Sequence, residues 1–525
     1  MSNVACDRFY TYEEIEQLIL TAGKEHPDVC KVEKLAETPE GRGIWGITLS
    51  EGTDDPSSRP AFYVQGGLHA EEGMGITESL VLLYTLLEDE KAREILSRIT
   101  VYILPCINPD GSNACVTKGQ SIRSQVEMLP EGTPNALIPQ DIDGDGLITS
   151  MRWEDPTGRW KCVDGCGDIM IAREIGDTEG PFYNVMEEGM IANYDGSGLY
   201  KNPRGLDMNR QFAEGWKDTP NGGDYPGRHV ESRTVMEFLL THPNIFAAFD
   251  IHCGSSALIY DTPANGSDAA LLKRIIKTGE EITGIAPITE NNYGRYNSAP
   301  PTVLPGVFRG YAQTTFGIPS ITVELGNGWN SIGMKSVDIF NAPGGIMTEN
   351  LIKKIVALHE KHNSKITAPW VKYNHPQLGE VEVGGRFYGN AYFMLASDMI
   401  ALLPKVTEFL MKIMTWYPKL ELVNVECKSL GGDVVRVRAD VINTGLMNTA
   451  PIISATGYHA KVPVYVTLSG AKEFFNRYPT NEFPALAPIE SRKLEWFVRA
   501  EKGSELTITA SQAKSVGASV TVVVE

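Results

Sequence analysis

The apolar residues of this 525-residue chain change period once, and that change constrains the fold more than any other feature. As far as residue 418, unbroken apolar runs recur at 44–49, 61–64, 99–104, 245–251 and 321–325, each the length of a fully buried strand. Between them apolar residues fall at helical spacing, notably over 76–87, 235–240 and 269–283. The chain also opens with Thr11-x-x-Glu14, a capping box ahead of Ile15, Leu18 and Ile19. Strands alternating with helices predict an α/β domain with a mixed, mostly parallel sheet flanked by helices. From Leu420 the pattern becomes alternation broken by turn residues, as in VVRVRADVINTG, KVPVYVTLSG and ELTITAS. That predicts a separate all-β, sandwich-like domain. The expected division is 1–375 for the α/β domain, 376–418 for a helical linker segment around 396–416, and 419–525 for the β domain.

Charge narrows the partners. With 47 Lys+Arg against 66 Asp+Glu the formal net charge is −19, which argues against a protein that neutralises nucleic-acid phosphates or an anionic membrane surface. The most apolar stretch, 387–418, is interrupted by Asp398, Pro404, Lys405, Glu408 and Lys412, so no transmembrane helix is expected. Eight cysteines are thinly spread, and Cys162-x3-Cys166 has no second pair, so reduced thiols are expected and no zinc knuckle. The opening MSNVACDRFYTYEEIEQ lacks an export address, so a cytoplasmic protein is expected, a secreted one staying open. Oligomeric state is not readable.

Ligands of open α/β sheets sit beyond the carboxyl ends of the strands, so polar residues immediately after a strand are the ones to question. Three places answer. The run at 61–64 leads into QGGLHAEEGMG with His69 and Glu72; AAFDIHCG puts His252 at a strand end; SITVELGNG leaves Glu324 in an otherwise apolar strand. Two histidines and one carboxylate suit a catalytic zinc, which keeps its fourth position for water. Each feature alone has a bland reading: a chance His-x-x-Glu, a hydrogen-bonded core histidine, a structural ion pair.

Together, and with PEGRGIWGI, INPDG (107–111), GLDMNRQF (205–212), DIHCGSSALIY (250–260) and SITVEL (320–325), these strings resemble the zinc metallocarboxypeptidases of the carboxypeptidase A type. The resemblance implies a zinc carboxypeptidase-like α/β fold, one zinc ion held by His69, Glu72 and His252, and a peptide substrate with a free C-terminal carboxylate. Glu324 would be the general base for the zinc-activated water. It further implies Asp207 as the carboxylate that orients His69, and Asn209 and Arg210 as the pair that binds the substrate's terminal carboxylate. Arg152 in SMRWEDPTGR is the arginine expected at the oxyanion by chain order, with Arg123 in a comparable region. Arg309, about fifteen residues before Glu324, is expected to choose the substrate's last side chain, an acidic one. The family's mobile tyrosine is left open among Tyr293, Tyr296 and Tyr311. A related zinc amidohydrolase acting on acyl-amino acids or cell-wall peptides is the alternative function. Outside the resemblance, DIDGDGLIT places Asp141, Asp143 and Asp145 as the opening half of a calcium loop, read either as a degenerate calcium site or as an acidic turn; the twelfth position is Arg152 instead of Glu.

Overall fold

The computed structural model describes residues 4–53, 55–263, 265–289, 304–326, 331–334, 348–362, 367–386 and 395–525. Its centre is an eight-stranded mixed sheet of β1 (Cys30–Glu37), β2 (Gly43–Leu49), β3 (Ala61–Gly66), β4 (Thr100–Leu104), β5 (Ile245–Cys253), β6 (Ala257–Tyr260), β7 (Ala286–Thr289) and β8 (Ser320–Leu325). The spatial order is β1-β2-β4-β3-β5-β8-β6-β7, with β4, β3, β5 and β8 mutually parallel. All five apolar runs became strands of this sheet, and the central ones are buried on both faces, as unbroken runs require.

Alternation sends successive side chains to opposite faces. Phe62, Val64, Phe249 and Ile251 meet helices α1 (Tyr12–Glu25), α2 (Gly73–Glu88) and α4 (Gly266–Thr283). Ala61, Tyr63 and Ala248 meet α3 (Val230–Thr241) and α5 (Phe308–Phe316) on the other side.

Two expectations need correction. The segment expected as a helical linker is core: in α6 (Ala396–Met414), Met399, Leu402, Leu403, Val406, Phe409, Leu410 and Ile413 are buried in the same cluster as α2 and α4. Seven apolar residues on one stripe must be covered, and here the α/β domain covers them. The division at 375 also falls inside a hairpin of Thr367–His375 and Gly379–Arg386. That hairpin joins Ser150–Glu154, Tyr183–Glu187, Trp160–Val163 and Cys166–Ala172 in a second, six-stranded sheet.

After α6 come two four-stranded antiparallel sheets packed face to face. One runs Leu420–Gly431, Val434–Asn443, Ser491–Arg499, Glu473–Phe474; the other Thr480–Phe483, Val464–Ser469, Glu505–Ser511, Ala518–Val523. Alternate residues such as Val435, Val437, Val464, Val466, Trp496 and Ile508 fill the space between them, as expected of a sandwich. Among the described residues no helix is long and apolar enough to cross a membrane.

Candidate active site

The carboxyl ends of β3, β5 and β8 carry the site. His252 near the end of β5 is paired in register with Glu324 of β8, and Ile251 beside it is paired with Gly66 of β3. Glu72 sits at the N-cap of α2 but makes no capping bond. Its carboxylate turns instead toward the two histidines. Two glycines let α2 approach so closely: a Cβ on Gly75 would lie 2.4 Å from the Ile251 carbonyl oxygen, and one on Gly66 2.4 Å from that of Gly75.

His69, Glu72 and His252 are brought together, all buried. His69 Nδ1 is 2.8 Å from Glu72 Oε1, His252 Nδ1 is 2.8 Å from Glu72 Oε2, and the two Nδ1 atoms are 3.0 Å apart. The far nitrogens are already used: His69 Nε2 lies 3.1 Å from Asp207 Oδ1, and His252 Nε2 2.7 Å from Asp250 Oδ2. With each Nε2 against its own carboxylate, both Nδ1 atoms face Glu72, and the three groups suit a positive charge between them, carried either by protons on the imidazoles or by a metal ion. Nitrogen, nitrogen and carboxylate oxygen are the donor set zinc takes, and outer carboxylates on both imidazoles are the usual support for such ligands.

Electrostatics agree. Burial would push the Glu72 carboxyl up, but the facing His69 and His252 outweigh it and hold it well below the usual range. Burial would likewise lower His252, yet Asp250 and Glu72 lift it well above the usual imidazole value. The pocket is built to hold positive charge. Glu324 is pushed up to about 7 by burial and by Glu72.

The structure corrects the oxyanion arginine. Arg152 lies in the second sheet, bonded to Glu382 at 2.8 Å with its guanidinium over the Tyr183 and Trp370 rings, and none of these partners is a predicted site residue. The guanidinium at the site is that of Arg123, 2.9 Å from Glu72 Oε1 and 3.4 Å from Asp207 Oδ2. The short strand Gln125–Glu127 pairs with Arg204–Leu206, which brings Arg123 and Asp207 side by side from distant parts of the chain. Asp207, 4% exposed, accepts from His69, Arg123 and the Asn209 N–H. Despite burial, Arg123, Arg210 and His69 hold it well below the usual carboxylate range.

Asn209 and Arg210 follow in a single 3-10 turn. Arg210 reaches to 3.7 Å from Asp207 Oδ2, and Asn209 Oδ1 accepts the Phe308 N–H at the start of α5. Arg309, on the first turn of α5, is buried against Asp261 at 2.8 Å and Thr322 at 3.0 Å, two residues before Glu324. Tyr293 and Tyr296 lie outside the described residues; Tyr311 is packed against Phe212 and Phe316.

Asp141, Asp143 and Asp145 also converge, mostly exposed. The loop accounts for them without an ion: Asp141 accepts the Gly144 and Gly146 N–H groups, Asp143 that of Asp145, and Asp145 that of Leu147. Arg152, at the twelfth position, is committed to Glu382.

Two site residues escaped the sequence reading. Asp250 is two residues before His252 on one strand, hence on the same face, and Gln65 Nε2 donates to its other oxygen at 2.8 Å while accepting from Tyr63. The signal was present: a charged residue inside the apolar run IFAAFDIHC.

Residues 15–131 and 184–345, somewhat more than half of the chain, match the family described as zinc carboxypeptidase, and 419–523 match a domain of unknown function. Arg152 falls in the unmatched stretch between the first two segments. Over 105 residues, 20% of this chain and 24% of the relative, the sequence is 30% identical to carboxypeptidase B of Helicoverpa zea. Over 256 residues, 48% of this chain and 46% of the relative, it is 20% identical to carboxypeptidase A4 of Mus musculus. The chain thus spans about a quarter to a half of the length of these curated relatives. A solved carboxypeptidase A from Helicoverpa armigera is similar at 18% identity and a TM-score of 0.40, over 62% of this chain and 67% of that one.

Proposed function

The chain belongs to the zinc carboxypeptidase family, and from that premise we propose that it is a zinc-dependent metallocarboxypeptidase that hydrolyses the C-terminal peptide bond of peptides. One observation carries the reading: two Nδ1 atoms and the Glu72 carboxylate converge within 3.0 Å of one another, and Glu324 stands in register beside His252.

Bound zinc would supply a Lewis acid that polarises the scissile carbonyl and acidifies water. The remaining work falls to the chain. Glu324 takes the proton from the attacking water and delivers it to the departing amine. Its pKa, raised toward 7, matches that exchange better than an ordinary carboxylate would. Arg123 meets the negative charge that develops on the carbonyl oxygen. Asp207 and Asp250 keep the imidazoles oriented. Arg210 receives the substrate's carboxylate with its planar fork, helped by the Nδ2 donor of Asn209, whose Oδ1 is committed to Phe308. Arg309 favours an acidic terminal side chain, a preference that the Asp261 charge beside it reduces. Equal or better rates on peptides ending in Phe than in Glu would overturn that last assignment.

The test of the whole reading measures zinc content and the release of single C-terminal residues from a mixed peptide library by mass spectrometry, with and without chelator. One equivalent of zinc and chelator-sensitive loss of terminal residues is expected. Bound zinc with intact peptides would move the activity to acyl-amino acids or cell-wall peptides, and protein without zinc affinity would overturn the site itself.

A further inference from the structure

One short helix spans from the candidate site to the β-sandwich. α5 starts at the substrate side: its Phe308 N–H donates to Asn209 Oδ1, and Arg309 is on its first turn. Gly306, just before it, is so close to the Arg210 segment that a Cβ would lie 2.4 Å from the Arg210 carbonyl oxygen. A helix leaves its last carbonyls without intrahelical partners. At the end of α5 the chain's own turn satisfies two, Gly317 N–H to Gln313 and Ile318 N–H to Ala312. The sandwich domain supplies three further donors around that end. Gly457 N–H donates to Thr314 at 3.0 Å, Ile452 N–H to Gly317 at 3.1 Å, and the Lys514 amine to the Phe316 carbonyl. Lys514 is 2% exposed, and a buried amine needs an acceptor; the negative end of a helix is a good one. Burial pushes Lys514 down to about 7, and both of its protonation states donate. The Phe316 ring also stacks on His459, centroids 5.5 Å apart, and a Cβ on Gly457 would lie 2.1 Å from the Thr315 carbonyl oxygen.

We propose that the β-sandwich is a brace for the substrate pocket: by holding the far end of α5 through Lys514, Ile452 and Gly457 it fixes Arg309 and Asn209 at the near end. Lys514 is then a positioning residue, and recognition of the terminal residue depends on a domain outside the α/β core. The inference rests on the carboxypeptidase reading for its functional consequence, whereas the brace itself is a property of the fold.

The experiment uses the full-length zinc-loaded protein. Lys514→Met keeps the length and apolar volume of the side chain and removes the donor. Arg274→Ala is the control: Arg274 of α4 donates to the Leu446 carbonyl, so its loss loosens the docking of the same domain at a contact that involves neither α5 nor Lys514, Ile452 or Gly457. Steady-state rates on peptides ending in Glu, Phe and Lys are measured well below each melting temperature, together with zinc content and hydrogen exchange of the 308–316 amides. For Lys514→Met the expectation is unchanged zinc, kcat within about twofold, KM raised at least about fivefold with the preference among terminal residues flattened, and exchange in α5 accelerated at least about tenfold. Unchanged KM and preference alongside a lowered melting temperature would reduce the sandwich to a source of stability and overturn the proposal. Equal effects from Arg274→Ala would overturn the route through α5. If the wild-type protein releases no terminal residue, the carboxypeptidase reading falls separately, and unchanged α5 exchange in Lys514→Met then overturns the brace. Lys514→Gln, with a shorter donor, replaces Lys514→Met should the latter not fold, and the same outcomes decide.

Discussion

On the proposed mechanism Glu324 separates holding the ion from using it. Its carboxylate is not among the three converging ligand groups, so Glu324→Gln should keep zinc at wild-type stoichiometry while kcat falls by roughly 10²–10⁴, the range for loss of general base catalysis; loss of the metal in this variant would make Glu324 a ligand instead. Arg123 and Arg152 offer a paired test of the proposed oxyanion assignment. Arg123→Ala is expected to lower kcat about 10²–10³-fold, as removal of an oxyanion donor does. Arg152→Ala should leave the rate constants within about twofold and lower only the melting temperature, because its guanidinium serves Glu382 and two rings in the second sheet. Asp250→Asn removes the charge behind His252 and should weaken zinc about 10–100-fold in a chelator competition; unaltered affinity would leave Asp250 a bystander. The proposed ligands and base were visible from sequence because His69 and Glu72 follow an apolar run, His252 ends one and Glu324 interrupts one. Arg123 was named only beside Arg152, since order along a chain cannot show which of two arginines faces the site.

α6 shows what periodicity can and cannot reveal. Its helical pattern was readable, but a sequence states only that a stripe is apolar, not which surface covers it. Phe409 is fully buried and meets Phe249 of the central sheet edge to face, 5.6 Å between centroids. Phe409→Ala should therefore destabilise the α/β domain by about 3–5 kcal/mol in denaturant titration, whereas in a solvated linker the midpoint would hardly move. The long central strands were found because burial on both faces makes them continuous. The strands of the second sheet were missed for the opposite reason: Cys166–Ala172, for example, is largely half-buried or exposed, so neither an unbroken run nor a clean alternation marks it.

Buried acids make the stability of the folded chain depend on pH. Glu231 of α3, 1% exposed, is pushed up to about 7, first by burial and then by Asp110. A carboxyl raised in the fold favours its protonated form there, so its contribution is present below the unfolded value and lost as pH rises through 7. From the usual 4.5 to 7 that amounts to about 3 kcal/mol. Glu231→Gln should flatten the decline in unfolding free energy between pH 5 and pH 8 and be at least as stable as wild type at pH 8; an unchanged slope would assign it to other groups. The division of the chain into an α/β part and a sandwich was readable from the change of period, but the contact between them was not, because Lys514 looks like any surface lysine until its burial is known. That contact also orders events in time. The proposed ligands and base are synthesised by residue 324, yet the amine that closes the end of α5 leaves the ribosome long afterwards. On the proposed reading a nascent chain therefore carries every metal-binding side chain before the contact that would brace its pocket exists.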